Sequence, residues 1–153
     1  MKLPVYLGLL REAERTLAGT FRQVAEGHGE EPDVHFLCLT LAQQCDAHYD
    51  ALGAVVDRYG EVRPDDEPER LHAGGLGETR TGPVGLLRDL QDVYLLVSFV
   101  EITWTVVRQA AQALRDEELL DVVSRCDSET STQAQWCRTR MKQAAPQALV
   151  AAT

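Results

Sequence analysis

Residues 3–26, LPVYLGLLREAERTLAGTFRQVAE, decide the fold. Leu3, Leu7, Leu10, Glu14, Leu17, Phe21 and Val24 recur at alternating intervals of four and three, which brings them onto one side of an α-helix. A helix with such a stripe must bury it against other helices. The Gly27-His28-Gly29 breaker ends the pattern, and the same period then returns three times. A second helix opens after Pro32, with Asp33 at the N-cap, and carries Val34, Leu37, Leu41, Cys45, His48, Leu52, Val55 and Tyr59 before Gly60. A third starts near Thr81 and Pro83 and presents Leu87, Leu90, Tyr94, Val97, Glu101 and Trp104, with Val93, Val100 and Val107 widening the stripe. The fourth begins after Asp116 with Leu119, Val122, Val123, Cys126, Glu129, Gln133, Trp136 and Arg140 on one side, and Pro146 closes it ahead of a frayed Ala-rich tail over 146–153.

No run alternates apolar and polar residues as a half-buried strand would, so the chain reads as all-α. Residues 61–82 hold four Gly and two Pro without helical periodicity, a connection far longer than a helical hairpin needs. Short turn, long crossover, short turn is the expected order. Residues 1–153 therefore form a single four-helix-bundle domain with a long crossover between the second and third helices.

Composition narrows the function classes. The 24 acidic against 15 basic residues give a net charge of −9, which repels a phosphate backbone, so nucleic acid is not an expected partner. No uninterrupted apolar run approaches the ~20 residues of a membrane span. Arg11, Glu12 and Glu14 also come too early for a signal sequence. The expected location is cytoplasmic, away from membranes. Four cysteines, Cys38, Cys45, Cys126 and Cys137, with no CxxC pair, read as reduced and buried thiols. Phosphate loops, dinucleotide fingerprints and nucleophile elbows are all lacking.

Each apolar stripe is interrupted near its middle: Glu14 in the first, Cys45 and His48 in the second, Glu101 in the third, Glu129 and Gln133 in the fourth. Counted from the first turn, Glu14 and His48 reach similar depth at 1.5 Å per residue and can face each other; Glu101 and Glu129 stand in the same relation to the second turn. Carboxylates in an apolar core cost several kcal/mol unless paired, protonated or metal-bound. Carboxylate and imidazole together are ligands for iron, manganese or zinc. One reading is thus a single transition metal ion held by Glu14, His48, Glu101 and Glu129, with Cys45 as an optional ligand. The other is an internal hydrogen-bond network in a metal-free bundle that dimerises with a second copy or docks on a partner protein. In that second case Glu14→Leu is expected to be neutral or stabilising, because it completes the stripe from Leu10 to Leu17. A third, weaker reading is a redox sensor working through Cys45 and Cys126.

This pattern resembles the ferritin-like superfamily of bacterioferritin and rubrerythrin, in which Glu and Glu-x-x-His on each helical hairpin hold a di-metal centre. The resemblance implies first-half roles for Glu14 and His48 and second-half roles for Glu101 and Glu129. Cys45 stands where the first Glu-x-x-His should begin and Thr132 where the second should end, so a complete di-iron oxidase is not expected. Residues 86–147, including LLRDLQDVYLL and EITWTVV, are also similar to small actinobacterial proteins labelled after molybdopterin oxidoreductases. No segment suits that cofactor. His28 and His35 flank the first turn, and His72 reads as a loop histidine in the crossover.

Overall fold

The computed structural model describes residues 1–60 and 74–151. Most of the expected crossover, with His72 and the acidic run 64–69, lies outside them, as do residues 152–153. Among the described residues four α-helices form: α1 (Leu3–Gly27), α2 (Pro32–Tyr59), α3 (Gly82–Leu114) and α4 (Glu117–Pro146). Their starts, and the ends of α1, α2 and α4, lie within a residue or two of those read from the periodicity, while α3 runs on past Val107 to Leu114. The described residues contain no strand.

Helix ends follow local chemistry. The Asp116 side chain caps α4 by accepting from Leu119 N, and it also accepts from the Tyr59 hydroxyl and the Arg58 guanidinium, tying the end of α2 to the start of α4. Asp33 makes no such cap. Its carboxylate instead accepts from Arg140 Nε at 2.7 Å, fixing the start of α2 to the end of α4. As far as residue 151, Pro146 does not release a frayed tail: the chain continues as a π-helical turn, Gln147–Ala151, whose Ala148 is buried with Leu87 and Ala144. A proline lacks an N–H and clashes with the preceding turn, so a widened turn lets the helix continue.

The stripe read from residues 3–26 becomes the inner wall of the bundle. Leu7, Leu10, Leu17, Phe21 and Val24 are fully buried against Leu52, Leu90, Val97, Val100, Leu119 and Val123. α1 packs on α2 and α3, and α4 packs on α3 and α2. α2 ends beside the start of α4, whereas α3 starts beside the end of α1, where His28 meets Asp89. The segment between them therefore joins opposite ends of the bundle, as the long crossover requires.

The entry to α3 is fastened by a buried carboxylate that the periodicity did not reveal. Asp89 has no solvent exposure, and it accepts from His28 Nε2 at 2.7 Å, Arg80 N at 2.9 Å and Arg80 Nη1 at 2.7 Å. His28, which flanks the first turn, is buried by this contact. Gly27 is required where the incoming chain crosses α1, because a Cβ there would meet Thr79 Oγ1 at 2.3 Å.

α3 is the most apolar helix. Its richest 18-residue window reaches a mean hydropathy of 1.4, enough by length and composition to cross a membrane, yet only 44% of that window is buried in the bundle. Counting uninterrupted apolar runs understates this, because Asp89, Asp92 and Glu101 punctuate the sequence without removing its second apolar stripe. That stripe faces outward: Leu95, Ile102 and Val106 are 67%, 58% and 46% exposed, and half-buried Phe99 completes the row.

Candidate functional site: a buried carboxylate and histidine layer

Glu14 and His48 stand at matching depth in antiparallel α1 and α2, and their side chains meet as the register predicts. His48 Nδ1 donates to both carboxylate oxygens of Glu14 at 3.2 Å. On the far side of the ring, His48 Nε2 donates to Glu129 Oε1 of α4 at 2.9 Å. Glu14 and His48 are sealed from solvent, whereas the Glu129 side chain is 38% exposed and carries the layer to the surface.

The fourth contributor comes from α3, but it is Trp104 rather than Glu101. The indole Nε1 donates to Glu14 Oε1 at 3.0 Å, and the indole stands edge-on to the His48 ring at a centroid distance of 6.3 Å. Trp104 lies on the stripe as an apolar residue would, and a tryptophan buried in a core needs an acceptor for its N–H. The nearest carboxylate at its depth, on neighbouring α1, is Glu14. That signal is present in the sequence, three positions after the charged Glu101. Glu101 is turned to the rim between α3 and α4, where it lines a cleft of about 220 Å³ with Ser98, Ile102, Thr105, Asp127 and Ser131.

Cys45 and Gln133 form the adjoining part of the layer. Gln133 Nε2 donates to Gln44 Oε1 at 3.1 Å and to Cys45 Sγ at 3.6 Å, while the thiol points back to Gln133 Oε1 at 3.9 Å. Thr132, the position matching the missing histidine of the resembled motif, is exposed, and its hydroxyl donates to Ser128 O one turn back.

Electrostatics follow from this placement. Burial works against a charge on His48, but the carboxylates of Glu14 and Glu129 outweigh it and hold the imidazole above its ordinary value. Two carboxylate acceptors on two ring nitrogens call for two N–H donors, which only the imidazolium supplies. Burial pushes the thiols of all four cysteines up, Cys126 and Cys137 to about 12 and Cys38 and Cys45 further. They are thiols rather than thiolates.

A metal implied by the resemblance can be tested against this donor set. Glu14 and Glu129 occupy opposite edges of one imidazole, Cys45 faces an amide, and Glu101 lies at the rim. These groups do not converge on one point. Among the described residues no group of three or more His, Cys, Asp or Glu is disposed to hold an ion. The buried polar side-chain atoms of the described residues all have hydrogen-bond partners, so none is left over as an open ligand. What the layer can do is share protons and charge along one line, from Glu14 through His48 to Glu129. Comparison of the chain with models of protein families, with curated proteins and with solved structures finds no match.

Proposed function

We propose that this protein is a helical interaction module: a metal-free four-helix bundle that docks on another protein, with the Glu14–His48–Glu129 layer as its internal brace. The observation that carries this reading is the outward stripe of α3, Leu95, Phe99, Ile102 and Val106, on a helix whose other side already fills the core. Contiguous exposed apolar rows rimmed by polar residues mark interaction surfaces. The satisfied polar layer supports the same reading, since its acceptors and donors are matched within the protein. The buried, reduced thiols favour a reducing compartment such as the cytoplasm.

A single-metal protein of ferritin-like descent is the second reading. The order of helices and the opposite-end crossover favour it, together with the His48 Nε2 and Glu129 pair at the solvent-reaching edge of the layer. Elemental analysis of protein purified without chelator or affinity metal separates the two, combined with melting curves with and without a chelator. The interaction-module reading expects far less than one transition metal per chain and superimposable melts. A near-stoichiometric metal whose removal lowers the melting temperature overturns it.

A further inference from the structure

The outer stripe of α3 lies between two acidic clefts. On the α1 side, a surface cavity of about 570 Å³ is lined by Leu95, Leu96 and Phe99 of the stripe region together with Glu78, Asp92 and Arg80. On the α4 side, the cleft of about 220 Å³ beside Ile102 contains Glu101 and Asp127. Two cations near these carboxylates are engaged, Arg80 with Asp89 and Asp92, and Arg108 with Asp127. Among the described residues, Glu78 and Glu101 have no ion-pair partner. The face is thus an apolar row of four side chains at helical spacing with an unpaired carboxylate at each edge, Glu78 on one side and Glu101 on the other.

Building on the interaction-module reading, we propose that this face receives a basic amphipathic helix, one that lays apolar residues at i, i+4, i+7 and i+11 along Leu95–Val106 and directs Lys or Arg into the two clefts. Helix-on-helix docking of this kind uses apolar anchors for affinity and complementary charge for partner choice. A second copy of this chain suits the face less well. It would bring two bodies of net charge −9 together and set Glu78 and Glu101 against more carboxylates than cations.

The test uses the full chain and two designed 18-residue helical peptides, with leucines at i, i+4, i+7 and i+11 flanked by lysines in one and by glutamates in the other. Fluorescence anisotropy at low salt should show the lysine peptide binding at least about tenfold more tightly than its glutamate twin, with the difference shrinking as salt is raised. Ile102→Asp should abolish binding. Glu101→Gln should weaken it about two- to fivefold, the size of an exposed ion pair. Both positions are at the surface, so unchanged melting curves show that the variants remain folded. Equal binding of the two peptides, or none by either, overturns the proposal. So does a wild-type dimer in sedimentation that Ile102→Asp dissolves, or partition of the chain into neutral lipid vesicles. Metal content is read on the same preparation: a metal-free chain that ignores the lysine peptide refutes only this surface, whereas a metal-loaded chain refutes the broader reading.

Discussion

Replacing Glu14 by leucine tests whether the polar layer braces the core. By hydropathy alone the substitution completes the stripe from Leu10 to Leu17 and should do no harm. The geometry argues the reverse, because Glu14 is the shared acceptor for His48 Nδ1 and Trp104 Nε1, both sealed from solvent. Leucine leaves both donors orphaned, and each buried unsatisfied group costs about 1–3 kcal/mol. Removing one member of a buried charged pair costs about 3–5 kcal/mol as a whole, against which the leucine recovers some apolar burial. We expect a net loss of about 3–4 kcal/mol. For a chain of this size that corresponds to a melting temperature lower by roughly 6–16 °C. Urea unfolding followed by far-ultraviolet circular dichroism at pH 6 measures the loss. Trp104→Phe completes a double-mutant cycle: once Glu14 is gone, removing the indole N–H removes an orphan, so the double variant should be about 1–2 kcal/mol more stable than additivity predicts. A Glu14→Leu protein as stable as the wild type, or an additive cycle, would refute the reasoning.

Three further outcomes are expected. His48 is held above its usual pKa of 6.5 because its carboxylate partners outweigh burial, so its stabilising contribution is complete below that value and is lost as the pH rises through the raised folded-state value. Urea midpoints measured from pH 6 to 9 should fall with pH in the wild type, and His48→Gln should flatten that part of the profile. Asp89→Ala should destabilise the fold by about 3 kcal/mol, since His28 and the backbone N–H of Arg80 lose their buried acceptor; hydrogen exchange should show opening concentrated at the Gly27 end of the bundle, and uniform loss of protection would argue against a local fastening. All four thiols should react slowly with an alkylating reagent in the native protein and fast in urea, because burial keeps them protonated. Rapid native labelling of Cys45 or Cys126 would revive a sensing role.

The helices were legible because their signals are repetitive. Many apolar residues at the same period outvote any single exception, and Gly27, Gly60 and Asp116 punctuate the pattern where the helices end. The Glu14 and His48 pair was legible for the same reason: rise per residue fixes depth once the turn is placed. Rotation about the helix axis is less well determined. Glu101 and Trp104 both fit the stripe of α3, and a difference of three residues, or 60° of rotation, decided that the indole entered the layer and the carboxylate went to the rim. Asp89 was hidden because its partners, His28 and Arg80, are 61 and 9 residues away in sequence and share no period with it. The outer stripe of α3 was obscured by the width of the inner one, since a helix apolar on two faces reads as one broad band.

The fastening at Asp89 also bears on the order in which the chain assembles. Each hairpin, α1 with α2 and α3 with α4, is made from neighbours in sequence and closes over a few residues, so it can form early at little entropic cost. Bringing the hairpins together requires contacts between distant segments, and the His28–Asp89 contact spans 61 residues. Acting through a carboxylate that needs both His28 and Arg80, this contact favours the one alignment in which α3 begins beside the end of α1. An apolar surface alone would also tolerate the hairpins sliding by a turn. Asp89 thus serves as a register pin between the two hairpins, and its loss should slow their docking more than the formation of either hairpin.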